Sequence, residues 1–556
     1  MTDKLRIVLA QLNPTVGALQ ENLELARNAL RDAEAANADI LMLGELFLTG
    51  YFPEDLLLKP QFVNEAVAAA KKLATETLGL GLSLLLPSVW FDGDELVNAV
   101  LLCENGQIND VVIKHELPND DVFYERRYFQ AGGLPEPFEI KGVRIGVPIC
   151  EDIWHKPVCK ALAKAGAEIL FCPNGSPYWR NKHHQRRDLI RARISETGLP
   201  ILYLNQIGGQ DELVFDGASF GMSAQGKLVF EGESFKTDLI ISDWIKSGTV
   251  WECVDGPMVD LVSVDEAPWR ACVLGLRDYL RKNGFKKVVL GLSGGIDSAV
   301  VAAIAVDALG AQNVHCIMLP YRYTSKDSLK DAKNCAKRLG VRYDIVSIGD
   351  PVDTALEQIN PLFDDLPEDV TEENIQSRMR GTVLMAVSNK LGSMLLTTGN
   401  KSEMAVGYAT IYGDMNGGFN PIKDLLKMQV YYLADWRNNH MPDDCLGPAS
   451  AVIPQSIIDK APSAELRDNQ TDQDILPPYP VLDAIIEGLV EEELSVKEIV
   501  ARGFDLNTVK RIEKLLYVAE YKRRQSAPGP KLTEKAFGIG RKYPITNGFR
   551  DRSAQQ

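Results

Sequence analysis

The feature that most constrains this chain is a strand–turn–helix segment, Lys287–Gly310, with the sequence KVVLGLSGGIDSAVVAAIAVDALG. The apolar residues 288–290 predict a buried strand, and residues 299–309 carry apolar side chains at helical spacing. The Gly/Ser-rich turn 291–298 joins them and lacks the Gly-Lys-Ser/Thr of a Walker A loop. Backbone N–H groups at such a turn converge at the positive end of a helix dipole. The segment therefore predicts an anion site, and the alternative is a tight turn without a ligand.

The composition is that of an ordinary globular protein with more than one domain. A chain of 556 residues is too long for a single core, and its length predicts two to four domains. With 45% hydrophobic and 24% charged residues, it falls in the range of soluble proteins. A net charge of −16 and a pI near 5.1 argue against a nucleic-acid-binding protein, whose contact surface is basic.

The cysteines and the N-terminus indicate which classes of protein are not expected. The nine cysteines are scattered without CxxC spacing, which indicates neither a disulfide framework nor a zinc site. The N-terminal residues lack the long apolar core of a signal peptide, and no uninterrupted apolar run reaches membrane-spanning length. We therefore expect a cytoplasmic protein.

The first 250 residues alternate predicted strands and helices, which indicates an α/β layered domain. The predicted strands are 5–11, 40–43, 80–90, 96–103, 111–113 and 143–149, and the predicted helices include 18–36 and 65–78. Three of the strands end on or just before a chemically capable residue: Glu45, Lys114 and Cys150. Because ligands gather at the carboxyl ends of strands in α/β folds, these residues are candidates for one site.

The three residue types together suit nucleophilic catalysis. A carboxylate near Cys150 could accept the thiol proton, and an ammonium could stabilise a tetrahedral oxyanion. The strand-to-helix position of Cys150 and a nearby lysine would favour its thiolate. Taken singly, Glu45 could be a surface carboxylate, Lys114 a solvated strand end and Cys150 a small buried hydrophobic residue. Spacing alone leaves these alternatives open.

The segments GELFLTGY, KHELPN and GVPICEDIW around these residues resemble the glutaminases of the nitrilase superfamily. The resemblance covers residues 4–250 and implies an α-β-β-α sandwich, so we expect a glutaminase domain over residues 1–250. It implies that Glu45 is the general base, Lys114 the oxyanion stabiliser and Cys150 the nucleophile. Glu125, in VFYERRYF, matches a further carboxylate that the family keeps near these three.

The resemblance also implies a site for the α-carboxylate and α-amino groups of glutamine. Ser176, in the segment NGSP (174–177), and Lys182 match the residues that contact these groups. The chain departs from the family pattern LPNYxVFDE, since it has LPNDDVFYE at 117–125. Asp120 therefore stands where a substrate-contacting Tyr is expected, and Tyr124 stands where an Asp is expected.

The second half of the chain predicts a doubly wound parallel sheet. Residues 251–266 lose clear periodicity and are the expected linker, and Pro268 opens a predicted helix. The glycine-turn strand, predicted strands 315–320 and 343–347, and predicted helix 325–339 give a βαβαβ order. A predicted helix (372–389) and strand (393–397) then lead to TTGNKSE, with Thr398 and Glu403 at the strand's carboxyl end. Asp297 and Glu403 could hold Mg²⁺ together with polyphosphate oxygens, and the alternative is two solvated carboxylates.

The glycine turn SGGIDS resembles the loop of the N-type ATP pyrophosphatases. Together with EENIQSRMRG, TTGNKSE, YGDMNGG and EYKRRQSAPGPK, it is similar to the NAD synthetase family over residues 267–556, the expected second domain with its basic C-terminal tail. The resemblance implies ATP contacts from the turn and three further residues: Gly291, Leu292, Ser293, Gly294, Gly295, Ile296, Asp297, Ser298, Thr398, Lys427 and Ser463. It implies contacts to the nicotinate dinucleotide from Asn374, Glu403 and Lys522, and to Mg²⁺ from Asp297 and Glu403.

The two resemblances together imply a two-site enzyme. Glutamine would be hydrolysed to glutamate and ammonia at Cys150, and ATP would adenylate the nicotinate carboxylate of deamido-NAD⁺ at the glycine turn. Ammonia, passed by an internal route, would displace AMP, so the products are NAD⁺, AMP, pyrophosphate and glutamate. The expected partners are these small molecules and further copies of the chain, without nucleic acid or membrane. The alternatives are a nitrilase-type glutaminase that supplies another adenylated acceptor, and a nucleotide-sensing module without turnover.

One segment of the second half keeps two interpretations. Residues 460–480 are polar and Pro-rich, which predicts a loop near the active site. The sequence leaves open whether this loop covers the site or only links two elements.

Overall fold

The structure, a computed structural model, describes residues 3–364 and 366–555. It divides into two compact units: the chain up to Gln210 with Val214–Ser263, and Asp211–Leu213 with the chain from Val264 onward. Within the described ranges, no helix is both long and apolar enough to cross a lipid bilayer.

The first unit is built mostly from strands. In chain order the strands are β1 (Lys4–Gln11), β2 (Ile40–Met42), β3 (Ser83–Asp92), β4 (Glu95–Glu104), β5 (Gln107–Ile113), β6 (Phe138–Ile140), β7 (Val143–Gly146), β8 (Ile169–Asn174), β9 (Ile201–Asn205), β10 (Ile207–Gln210), β11 (Leu213–Asp216), β12 (Phe220–Met222), β13 (Leu228–Glu231), β14 (Asp238–Ser247) and β15 (Val250–Asp255). The α-helices are α1 (Leu19–Ala35), α2 (Pro60–Thr75), α3 (Lys156–Lys164) and α4 (Lys182–Thr197). Short 3₁₀ helices cover Glu54–Leu58, Glu125–Arg127 and Cys150–Trp154.

Two sheets of this unit pack face to face between helices. The orders are β15-β14-β1-β2-β3-β4-β5 and β13-β12-β9-β8-β7-β6. In β1, Leu5, Ile7 and Leu9 join the core shared by both sheets, whereas Val8 and Ala10 join the core that includes α1 and α2. Successive side chains of a strand point to opposite faces of the sheet, so the apolar residues of β1 contribute to the core on each face. The predicted α-β-β-α sandwich is confirmed.

The strand directions bring the candidate residues to one edge. Strands β1, β2 and β3 run parallel, and β5 has the same direction because two antiparallel steps separate it from β3. Glu45 follows β2 and Lys114 follows β5, so both lie at the same edge of the first sheet. In the second sheet β7, β8 and β9 are parallel, and Cys150 follows β7.

Several element boundaries differ from the sequence prediction, and two of them in this unit have a clear physical reason. Residues 251–255 of the expected linker form β15, which pairs with β14 and buries Trp251. Burial of the large apolar ring of Trp251 against the sheet stabilises this strand more than an irregular conformation that left the ring in water. Strand β7 ends at Gly146 rather than at residue 149, and Pro148, which lacks an N–H, could not extend its ladder.

The second unit combines a small parallel sheet with many helices. Its elements in chain order are α5 (Ala267–Lys282), β16 (Val288–Gly291), α6 (Ile296–Leu309), β17 (Val314–Met318), α7 (Lys326–Leu339), β18 (Arg342–Ile345), α8 (Gly349–Ile359), α9 (Val370–Leu391), β19 (Met394–Leu395), α10 (Lys401–Val406), α11 (Lys427–Asn439), α12 (Gln455–Asp459), α13 (Tyr479–Val490), α14 (Val496–Ala501), α15 (Leu506–Val518) and α16 (Glu520–Arg523). Short 3₁₀ helices cover Ala311–Asn313, Asn360–Leu362, Asp472–Asp474 and Ser553–Gln555.

The sheet order is β18-β17-β16-β19, and all of its pairs are parallel, as the βαβαβ order predicts. The chain moves outward from β16 to β17 and β18, and then returns to the other side of β16 for β19. Such a reversal opens a crevice at the carboxyl ends of β16 and β19, where α/β folds bind ligands. The glycine turn after β16 and the TTGNKSE segment after β19 therefore meet at this crevice.

Helix α6 begins at Ile296, three residues earlier than predicted, and nearly all of its residues are buried. A helix that is apolar all round packs on every side, so its N-terminus is held firmly beneath the turn. A buried pair joins it to α11, because Arg437 Nε donates to Asp307 at 2.6 Å, and Trp269 of α5 donates to the same carboxylate at 2.9 Å. The predicted strand 393–397 is shorter, since only Met394 and Leu395 pair with β16.

Candidate active sites

A buried ammonium joins two carboxylates at the edge of the first sheet. Lys114 Nζ donates to Glu45 Oε1 at 2.6 Å and to both oxygens of Glu125 at 2.8 and 3.0 Å. All three side chains are 0% exposed. The alternatives of a surface carboxylate at Glu45 and a solvated strand end at Lys114 are therefore wrong.

The Cys150 thiol lies against this cluster. It is 6% exposed and hydrogen-bonds to the Glu45 carboxylate. Its backbone φ is +47°, a left-handed value that few non-glycine residues adopt. Backbone strain of this kind is retained where the surrounding structure fixes it, often at active sites. Cys150 is thus buried, as expected of a small hydrophobic residue, but it also contacts the ionisable carboxyl group of Glu45.

The electrostatics of the thiol differ from the sequence expectation. Burial, followed by the negative charge of Glu45, raises the pKa of Cys150 well above its usual value, and Lys114 opposes this shift. The helix that follows is only the five-residue 3₁₀ segment Cys150–Trp154, so its dipole offers little compensation. The resting group is a thiol rather than the expected thiolate, and it needs a base. Glu45 is in place to accept its proton.

The pKa values of Lys114 and Glu125 depend on each other. Burial opposes the charge on Lys114, yet Glu125 and Glu45 together raise the pKa of its ammonium well above its usual value. Burial raises the pKa of Glu125, and Lys114 counteracts this. Lys114 therefore stays cationic near neutral pH, which suits a group that stabilises an oxyanion.

Two residues of this cluster are absent from the sequence prediction. Asn98 of β4 donates to Glu45 Oε1 at 2.9 Å and to Glu125 Oε2 at 3.4 Å. Tyr51 donates its hydroxyl proton to Glu125 Oε1 at 2.8 Å. A polar residue in the middle of the apolar strand LVNAVLLC is a signal that could have identified Asn98. Tyr51 ends the quoted segment GELFLTGY.

The expected glutamine contacts lie at the edge of the second sheet. The backbone N–H of Gly175 donates to Glu45 Oε2 at 3.1 Å, which connects the segment after β8 to the Lys114 cluster. Ser176 is buried, and its hydroxyl accepts from Arg186 Nε at 3.1 Å. Lys182 Nζ lies 3.6 Å from the ring centre of Trp179 and 4.2 Å from that of Trp154, which follows the Cys150 turn. The structure thus brings Ser176 and Lys182 to the same region as Cys150.

The two residues that depart from the family pattern are both on the surface of the first unit. Asp120 is exposed and Tyr124 is 39% exposed. The negative charge of Asp120 contributes, after burial, to the raised pKa of Glu151, the residue next to Cys150. The ring that packs towards the cluster is Phe123, whose centre lies 6.2 Å from that of Tyr51.

In the second unit the glycine turn has the shape expected of an anion site. Gly294 has φ +80°, and a Cβ on it would lie 2.4 Å from the carbonyl oxygen of Ser328, so only glycine fits. Ser298 Oγ accepts from the backbone N–H of Ser293 at 3.2 Å and donates to the carbonyl of Gly295 at 3.0 Å. Helix α6 begins immediately after Gly295.

A second buried ammonium lies beside this turn. Lys427 Nζ donates to Asp297 Oδ2 at 2.5 Å and to Glu403 Oε1 at 3.1 Å. Asn400, which caps α10, donates to Asp297 Oδ1 at 2.9 Å. Burial opposes the charge of Lys427, but Asp297 and Glu403 raise the pKa of its ammonium. The two carboxylates are therefore paired and not simply solvated.

These groups line a cavity of about 290 Å³. Its wall includes most of the residues that the resemblance assigns to ATP: Gly291, Leu292, Ser293, Gly295, Ile296, Asp297, Ser298, Thr398, Lys427 and Ser463. Glu403 lines it as well. The loop 460–466 and Asp472 form one side of the cavity. The segment 460–480, for which the sequence left open a covering or a linking role, therefore contributes to the wall.

The expected dinucleotide contacts converge on the segment that includes Tyr408 and Thr410, both in the cavity wall. Asn374 Oδ1 accepts from Thr410 Oγ1 at 2.8 Å. Lys522 Nζ donates to the carbonyls of Gly407 and Ala409 at 2.8 and 2.7 Å. Asn374 and Lys522 thus contact the segment that forms the cavity wall, whereas Glu403 lines the cavity itself.

Sequence reasoning missed Arg380 of α9, which also lines the cavity. Burial lowers its pKa to about 10, and its Nε donates to the carbonyl of Leu319 at 3.0 Å. Its position in the quoted segment EENIQSRMRG was the available signal. Among the described residues there is no group of three or more His, Cys, Asp and Glu side chains suited to a metal ion. A divalent cation held by Asp297 and Glu403 would therefore need further oxygens from a ligand.

Two family models match the chain, one in each half. The carbon-nitrogen hydrolase model matches residues 6–249, and the NAD synthase model matches residues 268–526. The first range contains the Lys114 cluster and Cys150, and the second contains the glycine turn and the cavity.

The similarity to named relatives extends over the whole chain. A glutamine-dependent NAD(+) synthetase of Rhodobacter capsulatus is 54% identical, with 100% of both chains covered. One from Synechocystis is 43% identical, with 99% of this chain and 100% of the relative covered.

Two solved structures are similar to this chain over nearly its full length. The glutamine-dependent NAD⁺ synthetase of Acinetobacter baumannii in complex with ADP has a TM-score of 0.78 and 38% identity, and the match covers 98% of this chain and 99% of that one. The enzyme of the same name from Cytophaga hutchinsonii has a TM-score of 0.83 at 24% identity, with 98% of both chains covered, which shows the shared fold. This chain therefore belongs to the glutamine-dependent NAD(+) synthetase family.

Proposed function

We propose that this chain amidates deamido-NAD⁺ at the expense of ATP, with ammonia that it releases from glutamine. The observation that carries the proposal is the hydrogen bond from the Cys150 thiol to Glu45, which is itself paired with Lys114. A buried thiol with a raised pKa, a base in contact with it and a fixed ammonium together suit acyl transfer from an amide. The glycine turn with its cavity supplies a separate site for the ATP-dependent step.

The glutaminase step uses the Lys114 cluster. Glu45 accepts the thiol proton, Cys150 Sγ attacks the amide carbon of glutamine, and Lys114 stabilises the oxyanion. The proton returns to the leaving nitrogen, so ammonia departs and a thioester remains. Water, deprotonated by Glu45, then releases glutamate and restores the thiol. Ser176 and Lys182 would orient the α-carboxylate and α-amino groups of glutamine.

The synthetase step uses the glycine turn. The nicotinate carboxylate attacks the α-phosphorus of ATP, and pyrophosphate leaves towards the backbone N–H groups of the turn and the N-terminus of α6. Ammonia then attacks the adenylated carbonyl carbon, and AMP leaves with the bonding electron pair. Arg380, Thr398 and Lys427 are placed to contact the phosphates.

Asp297 and Glu403 fit a magnesium ion. Their oxygens already converge on one cation, the ammonium of Lys427, at 2.5 and 3.1 Å. Mg²⁺ is commonly bound by one or two carboxylates together with substrate phosphates. Such an ion would neutralise charge on the departing pyrophosphate.

The first prediction separates the two sites. Cys150→Ala should abolish NAD⁺ formation from glutamine but leave NAD⁺ formation from added ammonium salts, because only the nucleophile is removed. NAD⁺ is measured with each nitrogen source. Cys159→Ala, which removes another buried thiol on α3, is the matched control and should retain both activities. Loss of both activities in a folded Cys150→Ala protein would contradict the two-site proposal.

The second prediction concerns the bond that is broken in ATP. Attack at the α-phosphorus gives AMP and pyrophosphate, whereas transfer of the γ-phosphoryl group gives ADP and phosphate. Chromatography of the nucleotides should show AMP in a 1:1 ratio to NAD⁺. Chelation of Mg²⁺ should stop AMP formation, because without the cation the carboxyl groups of Asp297 and Glu403 would disfavour the negatively charged pyrophosphate. ADP as the main product would refute the adenylation step.

The third prediction concerns Asp120. It lies in the loop between Lys114 and Glu125, two residues of the cluster beside Cys150, so we propose that it binds the α-ammonium of glutamine. Asp120→Asn should weaken glutamine binding by about 1.5–3 kcal/mol, which raises the glutamine KM by roughly tenfold or more, with ammonia-dependent synthesis unchanged. The rival proposal is that Tyr124 supplies a ring contact in its place, so that only Tyr124→Ala raises KM. Both side chains are exposed, so exposure does not choose between them.

Kinetics of the two single variants choose between these proposals. Glu136→Gln, which neutralises an exposed carboxylate further along the chain, serves as the control for an unspecific charge effect. An unchanged glutamine KM in both Asp120→Asn and Tyr124→Ala would exclude either residue as the substrate contact.

We also propose that the chain forms a homo-oligomer. Three large apolar side chains in and before α9, those of Leu362, Leu366 and Val370, are 76%, 73% and 60% exposed. A second copy could cover them through a two-fold contact of the same segment. Light scattering should give a multiple of 61.4 kDa for the protein and a lower average mass for Leu366→Asp. A mass of 61.4 kDa at micromolar concentration would contradict the proposal.

A further inference from the structure

A third carboxylate, that of Asp152, lies between the two elements that carry Lys114 and Cys150. It is 0% exposed and is the third residue of the 3₁₀ segment that begins at Cys150. It has no contact with the Lys114 ammonium among the described hydrogen bonds, and the reaction above gives it no task. Its partners are backbone N–H groups alone.

One oxygen of Asp152 holds the segment after Lys114. Oδ1 accepts from the N–H of His115 at 3.1 Å and from that of Glu116 at 2.7 Å. These residues directly follow Lys114, whose own N–H donates to the carbonyl of Asn98 at 2.9 Å. The backbone on both sides of the Lys114 Cα is therefore fixed by hydrogen bonds, on one side by Asp152.

The other oxygen holds the turn of the nucleophile. Oδ2 accepts from the N–H of Ile149 at 3.0 Å, and the N–H of Asp152 donates to the carbonyl of Ile149 at 3.0 Å. These two bonds close a ring around Cys150, whose left-handed φ of +47° costs free energy that the surroundings must offset. The ring fixes the direction in which the thiol leaves the backbone.

We propose that Asp152 is a positioning residue for the glutaminase reaction, which sets the Cys150 sulfur against Lys114 by accepting N–H groups from both of their segments. Cys150 lies in one sheet of the sandwich and Lys114 in the other, so no strand pairing fixes their separation. A carboxylate offers acceptors on two sides, which an amide or a hydroxyl cannot do in the same space. The role depends on the proposed function of Cys150 as the nucleophile.

The test uses two substitutions of Asp152. If the residue only fills space, one variant should be the more active, and if it accepts hydrogen bonds, the other should be. Asp152→Asn keeps the volume but turns an NH₂ group towards one of the N–H donors. Asp152→Glu adds a methylene and keeps both acceptors and the charge. If Asp152 only fills space, Asn is the better replacement, because a tight interior resists an added group. If it positions the two segments, Glu is the better one.

The measurements are glutaminase kcat and glutamine KM on the full chain, with ammonia-dependent synthesis and thermal unfolding as checks on folding. We expect Asp152→Asn to lower kcat by ~10²-fold with KM changed by less than about threefold, because misplacement of reacting groups acts on the transition state. Asp152→Glu should retain more than a tenth of the wild-type kcat. Asp39→Asn is the matched control, since Asp39 Oδ2 also accepts a backbone N–H, that of Arg6, at 2.7 Å. It should leave kcat unchanged.

Three results overturn the proposal. They are an unchanged kcat in Asp152→Asn, a lower kcat in Asp152→Glu than in Asp152→Asn, and an equal loss of kcat in Asp39→Asn. If Asp152→Asn does not fold, the kcat of Asp152→Glu decides, and a loss of ~10²-fold with normal ammonia-dependent synthesis counts against positioning. Glutamine-dependent activity in Cys150→Ala would instead refute the proposed function itself, so the two failures are distinguishable.

Discussion

A buried lysine ammonium between two carboxylates lies at the centre of each site. Lys114 contacts Glu45 and Glu125 in one unit, and Lys427 contacts Asp297 and Glu403 in the other. Removing any one of these charges from water costs several kcal/mol, which the attraction within the group must offset. Each group has two carboxylates for one ammonium, and burial raises the pKa of one carboxylate in each, to about 7 for Glu125 and to about 8 for Glu403. The second carboxylate has a different chemical consequence in each half.

In the first unit a carboxylate acts on a thiol. Burial and the charge of Glu45 raise the pKa of Cys150, and in the proposed reaction the same Glu45 takes the thiol proton. In the second unit the carboxyl groups of Asp297 and Glu403 face a cavity walled by a glycine turn. There they suit a divalent cation that would accompany a polyphosphate. In the proposed function the same arrangement would thus serve proton transfer in one unit and metal–phosphate binding in the other.

Both sites depend on how parallel strands end. Strands that run in the same direction end at the same edge of a sheet. This brings Glu45 and Lys114 together, although 68 residues separate them in the chain. In the second unit the reversal of strand order between β16 and β19 opens the crevice in which Asp297 and Glu403 meet. The segments that complete each site are short and fixed by side-chain hydrogen bonds, with Asp152 on one side and Asn400 on the other. Rigid strand ends and bonded turns therefore hold the reacting groups with little freedom.

The sequence by itself determined the layer architecture, the strands that carry the site and most of the residues in the cavity wall, because apolar periodicity, glycine turns and local motifs are properties of short segments. Only the tertiary structure decided the partners of the charges. Burial of Cys150 gives a thiol where helix position and charge predicted a thiolate, and β15 takes residues that lack local periodicity because a distant sheet edge accepts Trp251. Asn98 and Tyr51 likewise contact residues far from them in the chain, as Asp152 does through the N–H groups of His115 and Glu116, so no local pattern reveals these contacts.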